Sequence, residues 1–128
     1  MKTLKPRKRR ADPEAQLQRA VIAHLALRGI AGLIYHSIPN EAKRTPATAA
    51  KLKAQGMLPG VADLIIIAPG GRAHYLELKA PKGKMSDAQM DFVTICRANG
   101  TRCDAAWNID TALAILDEWG LLRTARAA

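Results

Sequence analysis

Residues 58–83 read LPGVADLIIIAPGGRAHYLELKAPKG, and the fold follows from how this stretch divides. Two apolar segments, Leu64–Ala68 and residues 73–79, flank Pro69, Gly70, Gly71 and Arg72. A proline followed by two glycines favours a turn, so a β-hairpin is expected. The unbroken run Ile65, Ile66, Ile67 predicts a strand covered on both faces, as in the middle of an α/β layer structure. Three charged residues intrude on this apolar pair: Asp63, Glu77 and Lys79. Charges rarely enter such interiors unless they are paired or bind a metal. The two-residue period of a strand puts Glu77 and Lys79 on one face and Leu78 on the other. Asp63 and Glu77 are equidistant from Gly70. A three-residue connection would set them opposite one another, with Cβ atoms about 4.5–5.5 Å apart. A two-residue connection would shift the partners by one and require a bulge to recover that geometry.

Two carboxylates that close repel unless a cation lies between them, and a hard divalent ion with oxygen ligands fits the pair. Lys79 would sit beside that ion, able to hold an attacking water or to offset charge developing on a phosphate. Glu14, further up the chain, could complete the shell. The alternative reading of the same spacing is an Asp–Lys–Glu ion-pair cluster that only organises the sheet.

On either side of the hairpin the chain alternates helix and strand signals. Asp12, Pro13 and Glu14 form a helix start: a cap, a proline at the first position, and an acid at the positive end of the dipole. Leu17, Ala20, Val21, His24, Leu25 and Arg28 then recur with helical spacing, and Gly29 closes the helix. Residues 30–38 read as a strand, and residues 39–44 as a polar loop. Thr45 and Pro46 open a short helix that runs to about Gln55. After the hairpin, Ser86 and Gln89 have the spacing of a capping box and begin a helix that ends near Asn99 and Gly100. Residues 102–107 predict a strand, and residues 110–119 a last helix. The order α-β-α-β-β-α-β-α predicts one α/β domain, a mixed central sheet flanked by helices.

The 128 residues suffice for one domain, and 48% hydrophobic with 24% charged residues is globular composition. The expected limits are an N-terminal basic arm over 1–11, a folded domain over 12–122 and a tail over 123–128. No apolar run approaches the ~20 residues of a membrane span, and the basic N-terminus lacks a signal-like apolar stretch. A cytoplasmic protein with no membrane partner is the expectation. Cys96 and Cys103 are too few for a zinc site, and they read as reduced packing residues. His74, on the strand face opposite Glu77, reads as structural. Net charge is +9, yet six of the twenty basic residues lie within the first ten. Such an arm suits a polyanion, although a merely solvated tail has the same composition. Tyr35, Tyr75, Phe92, Trp107 and Trp119 are the only aromatics. Their apolar surroundings suggest core positions more than base-stacking platforms. Trp119, Leu121 and Leu122 could serve either a core or a dimer surface.

The motif residues, taken together, resemble a known family. Pro59 to Asp63 followed by Glu77, Leu78 and Lys79 resembles the PD-(D/E)XK nuclease signature. The continuation through Lys82, Gly83, Lys84, Ser86 and Gln89, with Glu14 on the first helix, is similar to the virus-type replication-repair nuclease (VRR-NUC) domain. The loop at Pro39 and Asn40 and residues 52–56 resemble stand-alone phage and bacterial members. Ala62 departs from the pattern, where many members carry proline.

The resemblance implies a restriction-endonuclease-like fold and a Mg2+- or Mn2+-dependent DNA endonuclease. It implies metal ligation by Asp63, Glu77 and the Leu78 carbonyl, with Glu14 in or near the shell, and Lys79 as the catalytic lysine. Gln89 would orient water, Lys79 or a phosphate, in competition with its capping role. Lys82 and Lys84 would grip the phosphate backbone, and Asn40, Lys43, Arg44 and Lys53 are further DNA-contact candidates. Small stand-alone members resemble Holliday-junction resolvases acting as homodimers, so a branched DNA partner and nucleoid association are expected. A flap- or nick-directed nuclease, a non-catalytic DNA-binding protein and a structural subunit of a larger complex are the alternatives.

Overall fold

The first helix shows how local chemistry starts an element. Asp12 Oδ1 accepts hydrogen bonds from the N–H groups of Glu14 at 3.0 Å and Ala15 at 3.3 Å. Pro13 takes the first helical position, where its missing N–H costs nothing. Leu17, Val21 and Leu25, four residues apart, form the buried stripe of α1 (Pro13–Arg28). The computed structural model describes residues 12–39 and 45–124. Beyond α1 it contains β1 (Ile34–Ser37), α2 (Pro46–Ala54), β2 (Leu64–Ala68), β3 (Arg72–Leu78), α3 (Asp87–Ala98), β4 (Arg102–Ala106) and α4 (Ile109–Glu118). This is the expected element order.

The four strands form one mixed sheet in the order β1-β2-β3-β4. β1 and β3 both run antiparallel to β2, while β4 is parallel to β3. A parallel neighbour needs a crossover, and α3 supplies it. Ala68 pairs with Arg72 and Leu64 with Leu76. The hairpin connection is therefore the three-residue one, closed by the Gly71 N–H donating to the Ala68 carbonyl at 3.0 Å. Carried one residue beyond Leu64, this register sets Asp63 opposite Glu77.

The main core joins Leu17, Val21 and Leu25 of α1 to Ile115 and Leu116 of α4 over Leu64, Ile66, Leu76 and Leu78. On the other face a smaller cluster packs Phe92 and Cys96 of α3 against Ala62 and Cys103. Both cysteines are free thiols and buried, as expected. Burial pushes the Cys103 thiol up to about 12, well outside the reactive range. His74 is 1% exposed, with Nδ1 3.1 Å from the Ile66 carbonyl and its ring 5.3 Å from that of Trp119. Its structural role holds.

Two expectations need correction, and one open alternative is decided. The first strand is shorter than residues 30–38, because Ile30 and Gly29 pair instead with the C-terminal segment. The Ile30 N–H donates to the Leu121 carbonyl at 3.0 Å, and Gly29 bridges Leu122. The isoleucine run is not equally covered on both faces. Leu64, Ile66 and Ala68 are buried, whereas Ile65 and Ile67 are only half-buried. The cause is that α3 lies over β4 and α2 packs against no other helix or strand. Finally, of the two readings of Leu121 and Leu122 the core one applies, with Trp119 half-buried against the same core.

Candidate active site

Three elements converge at one end of the hairpin. Glu14 comes from the first turn of α1, Asp63 from the residue before β2, and Glu77 from the penultimate position of β3. One carboxylate oxygen of each lies within 4.8 Å of the others. Asp63 is oriented by the backbone, since its Oδ2 accepts from the Leu78 N–H at 2.8 Å. Beyond the last paired residue of β2, a carboxylate thus takes the place a strand carbonyl would fill. The Lys79 N–H turns the other way, to the Ala106 carbonyl of β4 at 2.9 Å. Its ammonium lies 3.9 Å from Glu77 Oε1.

The electrostatics record the crowding. Glu77 is 2% exposed, and burial pushes its carboxyl up to about 8, with the neighbouring Asp63 charge adding and Lys79 opposing. Glu14 also lies above its ordinary value, through burial first and then Asp63. Desolvation and like charge disfavour ionisation together here.

Of the competing expectations for Gln89 the capping role is present, while the free end of its amide reaches Glu77 and not Lys79. Its amide oxygen accepts from the Ser86 N–H at 2.9 Å, and its own N–H donates to Ser86 Oγ at 3.1 Å, which completes the capping box. The other end of the amide, Nε2, donates to Glu77 Oε1 at 3.1 Å. The helix cap and the acidic cluster therefore share one side chain. Gly60 keeps the two parts close. Its φ is +82°, and a Cβ there would meet the Ala88 carbonyl oxygen at 2.2 Å and the Gln89 nitrogen at 2.7 Å. Only glycine permits this approach of the segment before Asp63 to the first turn of α3.

Just past Lys79 the chain turns, with the Gly83 N–H donating to the Ala80 carbonyl at 2.8 Å. Lys82 and Lys84 are exposed on this turn. Trp107 Nε1–H holds the turn from outside, donating to the Gly83 carbonyl at 2.7 Å. Lys53 is exposed in the last turn of α2, away from the acidic cluster's elements. Asn40, Lys43 and Arg44 lie outside the described residues, as does the arm over 1–11.

The VRR-NUC domain profile matches residues 7–107. The chain belongs to the VRR-NUC family. It is accordingly a nuclease domain of the PD-(D/E)XK type, with DNA as the implied substrate. Two solved structures share its fold. One, a VRR-NUC domain protein, is 22% identical with a TM-score of 0.69, over 90% of this chain and 94% of its own. The other, a VRR-NUC domain, is 15% identical with a TM-score of 0.60, over 85% and 99%. A search of curated proteins found no significant match.

In this VRR-NUC chain Ala62 is 1% exposed and fills the smaller core cluster, so the departure from proline leaves a packed position. No helix among the described residues is long and apolar enough to cross a membrane. Three features were not read from the sequence: the Leu78 N–H bond to Asp63, the Gly60 contact with α3, and the Trp107 bond to Gly83. Each joins residues from different elements, and the only signal was at Gly60, where the Pro59-Gly60 pair marks a turn but not the close contact with α3.

Proposed function

We propose that the chain is a divalent-metal-dependent, structure-specific DNA endonuclease that favours four-way (Holliday) junctions and acts as a homodimer. The observation that carries hydrolysis is the convergence of Glu14, Asp63 and Glu77 within 4.8 Å, beside the Lys79 ammonium. Three carboxylates this crowded, with Glu14 and Glu77 both held above their ordinary values, are a poor arrangement alone and a good one around a cation. Their oxygens suit a hard ion such as Mg2+ or Mn2+. Asp63, Glu77 and the Leu78 carbonyl would hold it, with Glu14 in or near the shell. Such an ion, when bound, acidifies water and polarises a phosphoryl oxygen.

The chain's own residues supply the rest. Lys79 brings positive charge to the point where charge develops on the phosphate. Gln89 steadies Glu77 through Oε1. Lys82 and Lys84, exposed on the adjoining turn, neutralise flanking phosphates, and Lys53, Asn40, Lys43 and Arg44 extend that contact. The junction preference rests on symmetry. One domain offers one acidic cluster, two opposed cuts need two, and a twofold dimer supplies them. Among the described residues no helix is studded with Arg, Asn or Gln to read base edges, so branch shape and flexibility would select the substrate. Such an enzyme would act at the nucleoid in replication, repair or recombination.

The test incubates the protein with a labelled four-way junction, a flap and a linear duplex, with and without Mg2+ or Mn2+, alongside Asp63→Ala. Symmetric nicks on the junction alone, requiring both metal and Asp63, are the expected result. Cutting of flaps instead would keep the nuclease and remove the junction preference. Binding without cleavage would leave a DNA-binding module as the better account.

A further inference from the structure

Helix α3 divides the sheet face that it covers. On one flank Gln89 reaches Glu77. On the other, between α3 and the outer strand β4, lies a groove of about 350 Å³, within the ~300–1,000 Å³ of small-ligand sites. Met85, Met90, Val93 and the half-buried Trp107 give it apolar walls, and Arg97 and Asp104 add a polar edge. The Arg97–Asp104 pair is 3.5 Å apart with side chains 61% and 44% exposed, so both retain capacity for further hydrogen bonds.

The position of the groove ties it to the acidic cluster. Ala105, in its wall, is the β4 partner of Glu77, so the groove begins one strand spacing, about 5 Å, from the Glu77 backbone. Trp107 also ties it to the basic turn, through the bond from Nε1–H to the Gly83 carbonyl. A flat apolar surface and the exposed Lys82 and Lys84 are thereby held together.

An added peptide strand is a poor occupant. Arg97 Nε–H already donates to the Cys103 carbonyl, and Asp104 Oδ1 accepts from the Ala105 N–H, so side chains occupy two backbone groups of this edge strand. Cations on the neighbouring turn call instead for an anionic ligand with a flat apolar part, which describes a nucleotide. Thioethers adapt to any planar face, and stacking on an aromatic ring tolerates any base. A base within an intact duplex is already stacked and paired, so the occupant must be unpaired. We infer that the groove between α3 and β4 is a subsite for an unpaired nucleobase next to the cleaved phosphate, its own phosphate facing Lys82 and Lys84. This rests on the nuclease reading above and adds that the enzyme recognises a disrupted stack.

The test uses full-length chain carrying Trp119→Phe, which leaves Trp107 as the only indole, and omits divalent metal so that nothing is cut. A nicked duplex with one unpaired nucleotide at the nick is compared with the same duplex bearing an abasic residue there. The expected result is quenching of Trp107 by the first duplex and about tenfold weaker binding of the abasic one. Met90→Asn, at a side chain 48% exposed, should narrow that ratio without altering charge. Equal affinities with unmoved Trp107 fluorescence would overturn the subsite, as would failure to bind either duplex. The nuclease reading stands or falls separately, on whether the wild-type chain cuts DNA once Mg2+ or Mn2+ is added.

Discussion

Glu77 concentrates the conflict on which the site depends. It is nearly sealed from water and faces Asp63, so its carboxyl titrates near 8, far above the ordinary 4.5. Without metal the folded chain then holds a proton that the unfolded chain releases, which makes folding less favourable as pH rises through 8. His74 is shifted the other way by burial, below 6.5. Its contribution is lost only as pH falls beneath that value, so the window from 6.5 to 8 reports on the acidic cluster, where Glu14 is raised in the same direction as Glu77. Thermal unfolding in chelator should therefore show a midpoint that falls across this window, and Glu77→Gln should flatten the fall. Added Mg2+ should raise the midpoint more at pH 8 than at pH 6.5, because the proton competes with the metal. A metal-free midpoint that climbs from 6.5 to 8 would contradict the assignment.

Helix α3 works as an element through a single first turn. Ser86 caps it, and Gln89 links that cap to Glu77. The two functions separate by mutation. Ser86→Ala removes a cap worth about 1 kcal/mol and leaves the Glu77 bond in place, so cleavage should stay within about twofold. Gln89→Ala should cost similar stability and also slow cleavage by about tenfold, the equivalent of one hydrogen bond to a charged group. Denaturant unfolding and single-turnover cleavage measure the two quantities independently. Equal losses of activity in both variants would mean that only the helix position matters. Helix α2 is the contrast: it has a good cap and a proline start, yet no buried residue. With nine residues and no buried face, it has little beyond its cap to hold it.

At the scale of the molecule the charge is unevenly spread. Residues 11–128 carry fourteen basic and eleven acidic groups, while the first ten residues carry six basic ones. If the arm engages DNA, each phosphate that it neutralises steepens the dependence of log affinity on log salt by about 0.9. A chain lacking residues 1–11 should then show a slope shallower by up to about 5 units. Affinity measured across a salt series for both chains decides this. Identical slopes would make the arm a solvated tail with no part in binding.

The local order of this protein was legible in its sequence. Turn chemistry at Pro69, Gly70 and Gly71 and strand periodicity on either side determine the hairpin. They left its connection open between two and three residues, and only the observed register chose three and so opposed Asp63 to Glu77. Caps at Asp12, Thr45 and Ser86 determine three helix starts. The hairpin and these starts depend on neighbours a few residues away, where stereochemistry allows few choices. Tertiary structure alone decided the rest. It brought Glu14 to the carboxylate pair, set Gly60 against α3, joined Trp107 to the basic turn and diverted Ile30 from β1 to the C-terminal segment. It also left one flank of the isoleucine strand half-covered. Those outcomes depend on how apolar faces distant in the chain pack together, and a periodic pattern says which face a helix buries but not what it is buried against.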